Sequence, residues 1–465
     1  MRKIKPDSSS FRDPDGFVFS VKGEIYRAIR DTYRLNYEFF INSGLYEHLK
    51  SLNYIIPHQD IKFPKVGSDI FKIIKPQKIP YVSYPYEWTF SELKDAALLT
   101  LRIELEALKY KMSLKDGSGY NIQFLNGKPV FIDTTSFEIY RENTPWTAYG
   151  QFCRHFLSPL SLMAYKDPFF NQIQRLYLDG ISLDKVSRLL PFRSYFNLPI
   201  FIHIHLHAKS SQLYKNKTVF KQNQKFTLAA FNGIVKNLIT AVENLKWRRG
   251  DMHWSTYYDS LSYSPEAFRS KNMIFDKYLK LALPESLIDI GANTGHFSKI
   301  AAKKGIFTIA LDNDPVVMDC LYQECQINNI RNLMPLVVDI TNPSPDLGWE
   351  NEERISLLKR GPVSMVSMLA VVHHLAIRQN IPFEMISKFL ASLCRWLIIE
   401  FIPKDDVMVQ KLLSNRKDIF FQYNQKHFEK VFSQRFIRLN QTKIADSNRV
   451  MYLFKNKHRL TLNKI

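Results

Sequence analysis

Short apolar runs alternate with amphipathic stretches along the chain, and the rhythm of that alternation changes near residue 270. Upstream, FVFSVKGEIYRAIR (17–30) has the two-residue period of a strand pair, and DTYRLNYEFFINSGLYEHLKSL then takes up helical periodicity. DIFKIIKPQKIPYVSYPYEW reads as further strands leading into a connector. TFSELKDAALLTLRIELEALKYK predicts a strong helix: Thr89 or Ser91 can cap it, and Leu93, Ala97, Leu101, Leu105 and Leu108 build its apolar face. In the next stretch, LKDGSGYNIQFLNGKPVFID, the last twelve residues have a strand–turn–strand pattern, and a mostly helical region runs on to about residue 245. Within it FIHIHLHAK (201–209), taken as a strand, would align His203, His205 and His207 on one face. Such alternation can bind zinc, but no carboxylate or cysteine lies close in sequence, so a strand face without a metal is the simpler reading. The polar segment 209–270 predicts an inter-domain connection carrying its own helix around LAAFNGIVKNLITAVENLKW.

Beyond about residue 270, SLIDIG, FTIALD, LMPLVVDI, VSMVSML and WLIIEFIP are short apolar runs separated by helical segments. That is the pattern of a parallel sheet buried on both faces by helices. The expected fold is α/β: a doubly wound, Rossmann-like domain over 271–457, preceded by an α+β domain over 1–245 and a connecting segment over 246–270, and followed by a basic tail over 458–465.

A chain of 465 residues is too long for one ordinary core, which agrees with a multi-domain division. Lys and Arg exceed Asp and Glu by twenty, a balance that attracts nucleic acid, anionic lipid or acidic partners. The excess is spread along the chain, however, and the densest acid-free run, KSSQLYKNKTVFKQNQK (209–225), lacks the Arg and Gly texture of many RNA-binding tails, so no clear nucleic-acid signal emerges. Cys153, Cys320, Cys325 and Cys394 show no CxxC spacing, which argues against a disulfide framework or a zinc site and for a reducing, cytoplasmic setting. No apolar core of a signal peptide follows the basic start, and no run approaches the ~18 apolar residues of a membrane span.

The candidate chemistry begins at LIDIGANTGHFSKIAAKKG. A glycine turn after an apolar strand lets backbone approach a ligand closely, and the helix that follows offers free N–H groups. GxxxxGK[ST] and GxGxxG are both absent there. What stands is Asp289-x-Gly291-x-Asn293-x-Gly295, which resembles the first motif of class I S-adenosylmethionine-dependent methyltransferases, with Asn293 where that family often has glycine. The resemblance implies S-adenosyl-L-methionine as cofactor and a methyl acceptor, which the sequence leaves unidentified. It places Asp312, ending FTIALD, where the family's acidic residue bonds both ribose hydroxyls, and Asp339, ending LVVD, where the family contacts the adenine amino group. Asp289 would orient the glycine loop or the methionine amino group. His373 and His374 follow the fourth strand, where the family puts substrate-facing residues; one of them could serve as general base or only shape the pocket. No NPPY-like tetrapeptide follows that strand, which argues against the amide and adenine N-methylating branches. The tail, IIEFIPKDDVMVQKLLSNRKDIFFQYNQKHFEKVFSQRF and SNRVMYLF, with WSTYYDSLSYS upstream, is similar to bacterial nodulation-related class I methyltransferases, and that likeness spans nearly the whole chain.

Upstream, Asp116, Asn121 and Asp133 follow the order of the catalytic Asp, metal-binding Asn and metal-binding Asp of kinases, so they form a possible nucleotide site. Leu114 stands where kinases usually have His, no Gly-rich loop is visible near 13–30, and no phosphate-holding lysine can be assigned. The alternatives to a methyltransferase are therefore a non-catalytic binding or regulatory protein with a degenerate kinase-like domain, and a bifunctional kinase–methyltransferase. Nothing in the sequence fixes the oligomeric state.

Overall fold

The computed structural model describes residues 5–63, 67–214, 226–247, 263–414 and 417–458. These group into two units, one of residues up to 248 together with 346–354, the other of 249–345 together with 355–464.

In the first unit β1 (Gly16–Val21) and β2 (Glu24–Arg30) form the expected hairpin, turned by Lys22 and Gly23 at positive φ. Helices Arg34–Asn42 and Leu45–Ser51 follow, then β3 (His58–Asp60) and β4 (Ile70–Pro76), which complete an antiparallel sheet in the order β1-β2-β4-β3. The helix Phe90–Lys109 starts at Thr89, whose hydroxyl accepts from Glu92 N while the Glu92 carboxylate accepts from Thr89 N. This capping box satisfies two of the helix's orphan donors. Leu93, Ala97, Leu101 and Leu108 of its apolar face are buried as expected. Beyond it β5 (Met112–Leu114) pairs with β8 (Phe137–Ile139), and β6 (Ile122–Leu125) pairs with β7 (Lys128–Phe131) across the Asn126–Gly127 turn.

Two expectations for this unit fail. FIHIHLHAK is helical, as π-type turns over Phe201–Leu206 run into the helix His207–Tyr214. Asn197 caps the preceding turn through Ile200 N, with Pro199 in the first turn, and this start signal outweighs the local alternation. The three histidines therefore do not share a face. His203 bonds Tyr149 and Asn237, and His207 stacks on Tyr149, whereas His205 bonds Ser187 and Ser194. The second failure concerns 209–270. Its helix, Leu228–Asn244, is packed into the first unit: Lys94 Nζ donates to Glu243 O and Leu245 O, and Phe231 meets Tyr140 and Trp146. Residues 215–225 and 248–262, including most of WSTYYDSLSYS, lie outside the described residues, as does 459–465 of the expected tail.

The second unit opens with the helix Pro265–Ala282, begun by the Ser264 cap inside the stretch expected as connector. A seven-stranded sheet follows: β9 (Ser286–Ile290), β10 (Phe307–Asp312), β11 (Leu333–Val337), β12 (Val363–Met368), β13 (Cys394–Phe401), β14 (Phe436–Lys443) and β15 (Val450–Asn456). Their order is β11-β10-β9-β12-β13-β15-β14. The first five strands are parallel, in the 3-2-1-4-5 sequence of a doubly wound fold, and the apolar runs predicted for them coincide with them. Beyond them β15 is reversed, pairing antiparallel with both β13 and β14, so that the edge strand β14 again runs in the direction of the first five. The topological switch point lies between β9 and β12, and in such sheets ligands bind at the carboxyl ends of the strands on either side of it.

Candidate functional site

A cavity of about 440 Å³ opens at that switch point, within the range of small-molecule sites. Its wall includes Asp289, Gly291, Asn293, Asp312, Asp339 and His374, so one place in the fold brings together residues 85 positions apart in sequence.

The glycine loop is fixed from two sides. Gly291 N and Ala292 N donate to Leu311 O, and Asn293 N donates to Asp312 Oδ2 at 2.9 Å, which ties the loop to the end of β10. Beneath the loop Asp289 is buried between Ser298 Oγ and Ser367 Oγ, each 2.6 Å from one carboxylate oxygen. Burial raises the Asp289 pKa, and the two hydroxyls oppose that. With a hydroxyl donated to each oxygen, Asp289 positions strand, loop and the helix His296–Lys303. Gly291, Asn293 and Gly295 all adopt positive φ. A Cβ at Gly291 would collide with the Val371 side chain, and one at Gly295 would lie 2.5 Å from Leu321 Cδ2. Asn293 holds its left-handed turn with Oδ1 accepting from Thr294 N at 2.6 Å, the local bonding that lets asparagine stand in for glycine.

Asp312 accepts from Asn293 N on one oxygen and from Asp314 N on the other, and burial raises its pKa. Each oxygen keeps acceptor capacity, since a carboxylate offers about four lone-pair sites. Asp339 is exposed at the cavity rim, with Oδ1 accepting from Thr341 N and Oγ1. The two histidines separate: His374 lines the cavity, whereas His373 is buried outside the lining. Burial pushes the His373 pKa down to about 3, and burial with the Arg378 charge lowers that of His374. Both are neutral imidazoles at pH 7.

A second set of wall residues escaped the sequence reading. Lys271 Nζ lies 2.8 Å from Glu400 Oε2 and donates to Tyr263 OH at 2.9 Å, while Tyr263 OH donates to Glu400 Oε1 at 2.5 Å. The Arg449 guanidinium covers the Tyr263 ring at 4.2 Å and clasps Asp406 through Nε (2.7 Å) and Nη2 (3.0 Å). Lys271 and Tyr263 face the cavity, and Glu400, in β13, is their buried acidic partner. Burial lowers the Lys271 pKa, and Glu400 opposes that. One signal was available: Lys271, Ile274, Phe275 and Tyr278 fall at i, i+3, i+4 and i+7, so the lysine lies on the helix's apolar face.

In the first unit the structure also gathers Asp116, Asn121 and Asp133. Asn121 and Gln151 hydrogen bond to Asp116, and Asn121 Nδ2 donates to Ser136 Oγ, which itself donates to Asp133 Oδ2 at 2.7 Å. Asp133 Oδ1 accepts from Thr135 N and Oγ1 and forms an ion pair with Arg27 Nη1. Burial opposes ionisation of Asp133, yet the Arg27 charge and these bonds hold its pKa below the ordinary value. Arg27, in the middle of β2, is a cation whose pairing with Asp133 the sequence did not reveal.

No family model matches the chain. Among solved structures it is similar to the bifunctional kinase–methyltransferase WbdD (15% identity, 44% of this chain and 43% of that one, TM-score 0.31). It is also similar to magnesium protoporphyrin IX methyltransferase from Synechocystis PCC 6803 with bound SAH (18%, 45% and 90%, 0.31) and to the N-methyltransferase NodS from Bradyrhizobium japonicum WM9 (11%, 40% and 97%, 0.29). The decisive likeness is in sequence, to nodulation protein NoeA of Rhizobium meliloti (strain 1021): 31% identity over 457 residues, covering 96% of this chain and 95% of that protein. With both units and the site between β9 and β12 included in that span, the chain belongs to the NoeA family.

Proposed function

We propose that the second unit is an S-adenosylmethionine-dependent methyltransferase domain acting in the cytoplasm on an acceptor still to be identified. The observation that carries the reading is the cradle at the switch point: a glycine loop with three residues at positive φ, tied at Asn293 N to the Asp312 carboxylate that ends the neighbouring strand. The residues fit the group. The Gly291 backbone presents no side chain to the ligand, the remaining lone pairs of Asp312 suit two ribose hydroxyls, and Asp339 at the rim suits the adenine amino group. Lys271, a cation on the cavity wall, suits the methionine carboxylate.

When bound, the cofactor supplies an electrophilic methyl group on a sulfonium, so the protein's task is chiefly to position and desolvate a nucleophile. Asp289 keeps the loop in place through Ser298 and Ser367. His374, neutral and on the wall, can accept the proton of an acceptor hydroxyl or amine on a ring nitrogen. His373, outside the lining, supports the turn that carries His374; their ring centroids are 4.2 Å apart.

Calorimetric titration with S-adenosylmethionine tests the reading. Gly291→Arg should abolish binding, and Asp312→Ala should weaken it by about tenfold or more, as expected for losing hydrogen bonds to a charged acceptor. Unchanged affinity in both variants would sink the proposal. Cell extract incubated with enzyme and methyl-labelled cofactor would then show whether label enters protein, RNA, lipid or glycan.

For the first unit the Arg27–Asp133 ion pair favours a second, compatible reading: a kinase-like scaffold whose would-be metal ligand is neutralised from within. Arg27 neutralises the Asp133 carboxylate and donors from the chain itself engage both its oxygens, which supports a role in recognition or assembly over phosphoryl transfer.

A further inference from the structure

An apolar patch with a basic rim stands on the first unit, apart from every residue assigned a role above. Phe192 is 76% exposed, Phe196 79%, Leu198 64% and Leu206 49%. The aromatic members of the patch form one cluster, and Leu198 and Leu206 are near them in sequence. Phe192 packs on Tyr195 and Phe196 at ring separations of 5.8 and 5.4 Å, and Tyr195 stacks on His205, next to Leu206, at 3.8 Å. His205 pins the patch from beneath, with Nδ1 bonded to Ser187 Oγ at 2.7 Å and Nε2 to Ser194 Oγ at 2.9 Å. Scattered exposed leucines need no explanation, but Phe192, Phe196 and Leu198, each exposed by more than half, with Leu206 at 49%, all within residues 192–206, do.

The charged side chains flanking the patch in sequence are mostly basic. Arg188, Arg193 and Lys209 are all exposed, and the nearest acid in sequence, Asp184, is 4.0 Å from Arg188. From 185 to 242 the chain has nine Lys and Arg and no Asp or Glu.

We propose that this patch docks the protein on an anionic lipid surface, with Phe192, Phe196, Leu198 and Leu206 entering the headgroup–acyl boundary and Arg188, Arg193 and Lys209 meeting lipid phosphates. Aromatic and aliphatic tips with a basic rim are the composition of interfacial anchors, and each Lys or Arg near an anionic leaflet strengthens the attraction. The competing occupants fit less well. A second copy would bring the same basic rims face to face, a like-charge cost. Single-stranded nucleic acid would stack on the rings but leave Leu198 and Leu206 without a role. Among the described residues no helix is long and apolar enough to cross a membrane, so the contact is peripheral.

The test is sedimentation of the full chain with vesicles of phosphatidylcholine alone and with vesicles containing one third phosphatidylglycerol. Binding to the anionic vesicles only is expected, falling as salt is added. The double variant Phe192→Ser/Phe196→Ser should lower partitioning at least about tenfold, consistent with losing two buried aromatic side chains. Arg188→Glu/Arg193→Glu should do the same. All four positions are exposed, so the circular-dichroism melts should match wild type and exclude misfolding. No partitioning by wild type, or equal partitioning by both variants, overturns the proposal. It is also overturned if the variants lose binding to a fluorescent RNA oligonucleotide, or lose self-association, while vesicle binding stays intact. None of these outcomes depends on methyl transfer.

Discussion

Lys271 shows what a single buried charge does at this site. Its side chain is 4% exposed and that of Glu400 is fully buried, so the pair exists only because each partner, with Tyr263, replaces water for the other. Removing one partner strands the other. Lys271→Met should destabilise the protein by about 3–5 kcal/mol in denaturant unfolding, whereas adding Glu400→Leu should recover much of that loss. If the single variant unfolds like wild type, the pair has no structural role. At the same scale Asn293 was legible, because its φ and its bond to Thr294 N are local properties that a glycine-loop pattern already implies. Arg27 was not, because the partner that gives it meaning, Asp133, is 106 residues away and nothing in EIYRAIR encodes that distance.

The helix Phe90–Lys109 was legible as an element because its cap, its apolar face and its length agree. What its pattern hides is Glu104. Fully buried, it accepts from Ser113 Oγ at 2.8 Å and Leu114 N at 2.7 Å, and so fixes β5 against the helix. Burial raises its pKa to about 8, against an ordinary value of 4.5. The folded state therefore holds a proton that the unfolded chain releases earlier, and the contribution to stability is complete below 4.5 and lost as pH rises through about 8. Glu104→Gln should retain the acceptor and remove this dependence. Melting temperatures of the two proteins should diverge across that window, with wild type falling more steeply; parallel curves would contradict the assignment. The histidine segment 201–209 failed at the element scale for the opposite reason. Its alternation suits a strand, but the Asn197–Pro199 start signal and the partners of His203 on two other helical segments decide for helix. Only the first of these could have been read from sequence.

At the scale of the molecule, the five parallel strands of the second unit were legible because each is mostly buried and carries a short, largely apolar run. The division of the first unit was harder to read, since residues 346–354 belong to it although they lie between β11 and β12 in the chain. Arg354 from that stretch covers the Tyr120 ring at 4.0 Å, and Arg12 binds Glu353 at 2.7 Å. Sequence order cannot reveal such an excursion. The two units make distinct ligand predictions that one calorimetric experiment on the full chain separates. S-adenosylmethionine at a hundred times its dissociation constant should stabilise the protein by about 2.7 kcal/mol and raise the melting transition of the second unit, with no such shift in Gly291→Arg. Magnesium ATP should leave both transitions in place, because Arg27 neutralises Asp133 and donors within the chain engage both its oxygens. A rise with magnesium ATP that Asp133→Ala abolishes would instead make the first unit a nucleotide site and return phosphoryl transfer to consideration. The two ligand arms read different residues, so either unit's assignment can fail while the other stands.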